Sequence, residues 1–145
     1  MMSEKRVMLC SVNIVQCQDD EAEIEVILGY KESRHSSKIV SSNEQHHRLR
    51  AVAHATLQAL NELLRKPTQS QDVIFRLIDF RTLVLANINQ AVFLVVIEII
   101  ESAEKSFVSG SSIARIEALH IEEEAKFSVA KAILNATNRK VTRYI

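Results

Sequence analysis

Five polar side chains, His47, Arg50, His54, Gln58 and Asn61, recur at spacings of three and four residues. That period places them on one outward face of a helix. Histidines grouped on a helix are candidates first of all for metal ligation. Zinc prefers histidines four apart with a third ligand nearby. His47 and His54 are seven apart, so they point the same way but lie two turns from each other. The spacing therefore favours a solvated polar face over a metal site. His46 opens the same helix, while His35 and His120 lie near the ends of other elements without a spaced partner.

Other chemistry has thinner support. Ser36, Ser37, Ser41 and Ser42 lie close to His35 and His46, but serines ahead of a helix ordinarily form turns and caps. No G-x-S-x-G elbow occurs. Asp19 with Asp20 imitates a paired-carboxylate site in what reads as a strand turn. Glu122, Glu123 and Glu124 fall in the first turn of a second helix, where carboxylates oppose the positive end of its dipole. Asp79 is the most unusual acid, because it interrupts an apolar strand between Arg76 and Arg81. If buried it needs one of them as an ion partner. Cys10 and Cys17 lie at an odd separation, which sets them on opposite faces of a strand. They read as buried, reduced thiols. Two glycines leave almost nothing for a phosphate-cradling loop. No catalytic residue, metal ligand or cofactor is predicted.

The chain has 145 residues, enough for one domain with a substantial core. An apolar fraction of 47% excludes disorder. Eighteen basic residues balance 18 acidic ones. That balance argues against nucleic acid, whose binders rely on uncompensated positive charge. Residues 7–10 resemble a short signal sequence, but polar and acidic residues follow with no small-residue cleavage site. The apolar run 91–100 contains Glu98 and is half the length of a spanning helix. The expectation is a cytoplasmic protein with no membrane partner.

Pro67 stands in a polar stretch near the middle of the chain, and the same order of elements precedes and follows it. Residues 6–15, 22–28 and 34–40 read as strands, as do 73–85, 91–100 and 107 to about 118. The strand 6–15 is apolar on both faces, and 73–85 is long enough to hold a bulge. Residues 51–61 align without gaps on 128–138, with one Val, three Ala, one Leu and one Asn in common. Ser41 followed by Glu44 suggests a capping box for the first helix, and the second opens near His120. The predicted fold is α+β, a tandem βββα repeat with an antiparallel-rich sheet and two helices packed on one face. It forms a single domain of two units, 5–66 and 72–141, joined by a linker over 67–71.

Small residues form a row on each helix, Ala51, Ala55 and Ala59 on the first and Ser128, Ala132 and Ala136 on the second. Such rows let helix axes approach closely. They predict two helices in contact along them, on one face of a shared six-stranded sheet. The other sheet face then lies bare, and residues 93–97 are apolar on both sides. Soluble monomers rarely expose such a patch, so a homodimer is expected to bury it. Candidate interface residues are Phe93, Val95, Ile97 and Asp79.

Residues 22–30, AEIEVILGY, and residues 49–61, LRAVAHATLQALN, set in this order of elements, resemble the C-terminal regulatory domain of 2-isopropylmalate synthase and citramalate synthase. The resemblance implies homodimerisation and feedback binding of an amino acid. It transfers no individual ligand-binding residue. The expected function is a non-enzymatic, dimeric regulatory or small-ligand-sensing module of the amino-acid-binding type. The rivals are a protein-interaction scaffold, and an enzyme processing a small acid through Asp79, His46 or His47.

Overall fold

The computed structural model describes residues 6–18, 20–65, 73–116 and 121–145. Strands β1 (Met8–Gln18), β2 (Glu21–Tyr30) and β3 (Ser33–Ser42) precede helix α1 (Gln45–Arg65). Strands β4 (Val73–Leu85), β5 (Gln90–Glu101) and β6 (Glu104–Arg115) then precede helix α2 (Ile121–Val141). The class is α+β, with helices packed against antiparallel sheets in βββα order twice. Asp19, residues 66–72 and residues 117–120 lie outside the described residues, so the expectations for the Asp19 carboxylate, the linker and His120 do too.

The strands make two three-stranded sheets, β1-β2-β3 and β4-β5-β6, rather than one of six. At the edge of β4 a helix side chain stands where a further strand would pair. The Asn61 side chain takes both the N–H and the C=O of Phe75, at 2.9 and 3.0 Å, where a neighbouring strand would bond. Helix α1 packs on β2 and β3 and also touches β4, while α2 packs on β5 and β6 and touches β1. Each helix thus braces its own sheet against the first strand of the other unit.

The two units match in register as well as in order. In β1 the pairing with β2 slips between Leu9 and Ser11, beside Leu28 and Ile27. In β4 it slips between Leu77 and Asp79, beside Ile97 and Val96. The extra residues, Cys10 and Ile78, occupy equivalent places. The second hairpin of each unit turns through a non-glycine residue in the left-handed region, Lys31 and Ser102. From the helix side, Ser37 Oγ donates to the Ala55 carbonyl, and the equivalent Gly110 lies against the Ala132 carbonyl.

Alternation decides which strand face enters the core. Ala22, Ile24, Val26 and Leu28 of β2 are buried under α1, as are Ala91, Phe93, Val95, Ile97 and Ile99 of β5 under α2. Phe93, Val95 and Ile97 are therefore core residues of the protomer, not interface residues. Phe80 stacks on Phe93, and His46 covers Phe80 from the start of α1.

Several local expectations change with the register. Strand β1 is buried on one face only, since Met8 and Val15 are exposed. Cys10 and Cys17 are exposed as well, because each is the extra residue at a register shift. Ser41 remains in β3 and donates to the Ser42 carbonyl, so no capping box forms. Members of the small-residue rows seat each helix on the third strand of its own unit. Ser37 meets Ala55, Ser128 Oγ donates to the Ile113 carbonyl, and Gly110 faces Ala132 and Ala136. Ala51 and Ala59, in the same row as Ala55, are buried too. The helices do touch each other.

Candidate functional site

A groove of about 470 Å³ runs between β3, α1 and β4. It exists because the two sheet edges stop short of each other and α1 closes the gap from one side. His47, Arg50, His54, Gln58 and Asn61, the polar stripe of α1, all line it. Ile39, Leu57, Phe75 and Leu77 give it apolar walls, and Ser41 and Ser42 stand at one end. An apolar cleft with a few convergent polar groups is the usual form of a small-molecule site.

The charges in this groove are unequal. Among the described residues Arg50 forms no ion pair. Burial, with a smaller contribution from Arg50, pushes the pKa of His54 below its ordinary value. The shift favours the neutral form of the His54 ring, a hydrogen-bonding group. Arg76 is already engaged, its Nη2 lying 2.7 Å from Glu98 Oε1. That oxygen makes no hydrogen bond, so the contact is an ion pair off the N–H axis. Asn61 is committed to Phe75 and holds the β4 wall in place.

Removing that clamp tests its structural role. Asn61→Ala should lower unfolding stability by about 2 kcal/mol, for two hydrogen bonds lost to a partly buried peptide group. Urea denaturation measures it, and a loss below about 0.5 kcal/mol would show that water replaces the amide without penalty.

No catalytic relay is built here. Ser42 Oγ and Glu44 Oε2, the latter at 3.4 Å, both approach Nδ1 of His47. A triad needs the acid and the nucleophile on opposite ring nitrogens. Among the described residues no three His, Cys, Asp or Glu side chains cluster to hold a metal, and no helix is long and apolar enough to cross a membrane. A more polar hollow of about 570 Å³ continues past Gln58 and Asn61 to Arg34, His35 and Arg65.

No known protein family matches this chain, and no curated protein does.

The second feature is the outer face of the β4-β5-β6 sheet. Across the strands its rows are Leu83, Val92 and Ile113, then Arg81, Leu94 and Ser111, then Asp79, Val96 and Ser109, then Arg76, Glu98 and Phe107. Leu83, Leu94, Ile113 and Phe107 are exposed, as are Ile74 and Ile78 on β4. Glu98 is nearly buried within this apolar setting and paired with Arg76. Asp79 alone of the four candidate interface residues is on this face. It accepts from Arg81 Nε at 2.8 Å and from the Phe80 N–H, and the Arg81 bond above all holds its carboxyl below the usual range. Sequence patterning missed Leu94 and Val96 because residues 91–97 are apolar at every position. The parity of Glu98, shared with Leu94 and Val96, was the available signal for the outward set.

Proposed function

We propose that this protein is a non-enzymatic, homodimeric module that senses a small carboxylate of amino-acid size in the α1 groove. The observation that carries this reading is the convergence of Arg50, which forms no salt bridge among the described residues although its charge reaches Asp79, with His54 and Gln58 on a groove with apolar walls. Arg50 supplies the fixed positive charge for a carboxylate, and Leu57, Phe75 and Leu77 supply the surface for a short aliphatic tail. No Asp or Glu lines the groove, so an α-ammonium group would find only neutral acceptors. The site therefore prefers a 2-oxo or unsubstituted acid over the matching amino acid. The outer face of the second sheet supports the dimer.

Thermal melts across matched amino acids, 2-oxo acids and short branched acids provide the test. A ligand at a hundred times its Kd stabilises by about 2.7 kcal/mol, roughly 5–10 °C in Tm for a chain of this size. Arg50→Ala should abolish the shift while leaving the unliganded melt within about 2 °C, since the residue is exposed and forms no salt bridge among the described residues. A flat response across the panel would remove the sensing function, and retention of a cellular protein on a column would then favour a scaffold.

A further inference from the structure

The duplication carries a second hollow over the other helix. It holds about 250 Å³ between α2 and the start of β1. Register equates its strand wall with that of the first groove. Met8 opposes Gly29 ahead of the Cys10 shift, as Arg76 opposes Glu98 ahead of the Ile78 shift. Val7, Met8 and Leu9 thus stand where Phe75, Arg76 and Leu77 stand. On the helices, Lys131, Leu134, Asn135 and Asn138 take the places of His54, Leu57, Gln58 and Asn61.

The replacements make the second hollow the more cationic of the two relative to its size. A lysine, Lys131, replaces His54, and Arg6 adds a second basic side chain at the strand end. Among the described residues neither forms an ion pair. Asn61 spends its amide on Phe75, whereas the Asn138 side chain makes no hydrogen bond among the described residues. The floor is aliphatic, from Leu9, Leu60, Leu134 and Val141, and no acidic residue lines it.

We infer that this hollow is a second ligand site, which takes a small aliphatic monocarboxylate through Lys131, Arg6 and the free amide of Asn138. The inference rests on the reading of the α1 groove as a carboxylate site, because the equivalence of the two units is what relates them. Its smaller volume restricts the ligand to a shorter tail. A protomer then binds two acids, one per unit.

The test is a titration of the full ¹⁵N-labelled chain with 3-methylbutanoate, followed by amide shifts, against sodium chloride at equal ionic strength. Two groups of shifts are expected, one around residues 50–58 and 75–77 and one around 7–9 and 131–138. Lys131→Glu should weaken the second group at least tenfold and leave the first unchanged, and Lys131→Arg should restore it. Lys131 is exposed, so both variants keep the fold. Absence of the α2 group, its survival in Lys131→Glu, or its reproduction by chloride overturns the second site. Appearance of the α2 group without the α1 group supports the second site and overturns the reading of the first.

Discussion

Gly110→Ala should destabilise the protein by about 3 kcal/mol, the upper end of the range for overpacking. A β-carbon at this position would lie 2.5 Å from the Ala132 oxygen, 2.7 Å from Ala136 Cβ and 2.9 Å from the Ala136 nitrogen. Two of these atoms are helix backbone, which no rotamer change can move. Helix α2 cannot retreat as a body, since it also packs against β5 and α1. The backbone of Gly110 has no positive φ, so its role is space rather than conformational freedom. In a roomy site the same substitution would stabilise by about 0.4–1 kcal/mol through the unfolded chain. The sign of the change is therefore decided by the contact. Urea denaturation of Gly110→Ala beside Ser109→Ala, an exposed neighbour expected within about 0.5 kcal/mol of wild type, isolates it. Equal stability of the two variants would mean that α2 shifts away from β6 at no cost and would overturn the close-contact role of Gly110.

The same glycine shows where sequence reading reaches and where it stops. Rows of small residues on the helices announce a close approach, but their spacing carries no information about the partner. Gly110 names that partner, because only a residue without a side chain meets Ala132 and Ala136 at this distance. The strand order, the bulge in β4 and the polar stripe of α1 were legible, since each leaves a period or a break in the pattern. What the stripe faces was not, because the groove depends on two sheet edges failing to join. At the β4 edge the Asn61 amide takes the place of a neighbouring strand, and it looks in sequence like any polar helix residue. Cys10 and Cys17 misled for a related reason. A register shift beside each one breaks the parity on which strand faces are counted. On β5, apolar residues at every position erased the alternation itself, and only Glu98 marked the outward set.

Leu94→Glu should convert the proposed dimer to a monomer, raising its dissociation constant at least a thousandfold, about 4 kcal/mol. Three strands about 4.8 Å apart and roughly 36 Å long give a face of about 500 Å² in projection. Its corrugated accessible area is on the order of the 800 Å² that each partner of a stable complex buries. Ile74, Ile78, Leu83, Leu94, Ile113 and Phe107 leave this face apolar and exposed in the protomer, which soluble monomers rarely tolerate. Arg81 and Asp79 are opposite charges beside Leu94 and Val96, so a second copy turned by a two-fold axis can meet each charge with its complement. Leu94 lies near the centre, where a new carboxylate would be buried without a partner in the dimer. Sedimentation should give twice the protomer mass of 16.4 kDa for wild type and that mass once for the variant. A wild-type protein that sediments as a monomer at 100 micromolar overturns the dimer (about 5.5 kcal/mol of association would suffice to prevent it). Unfolding of the variant is not a concern, and the first unit shows why. Register equates Leu94 with Glu25, Val92 with Glu23 and Ser111 with Lys38. A glutamate at this position is what the same scaffold already carries on the face of its other sheet. The two sheets differ in their outer surfaces on the middle and third strands, where Leu94, Val92, Ser111 and Phe107 replace Glu25, Glu23, Lys38 and Arg34, and the proposed dimer rests on that difference.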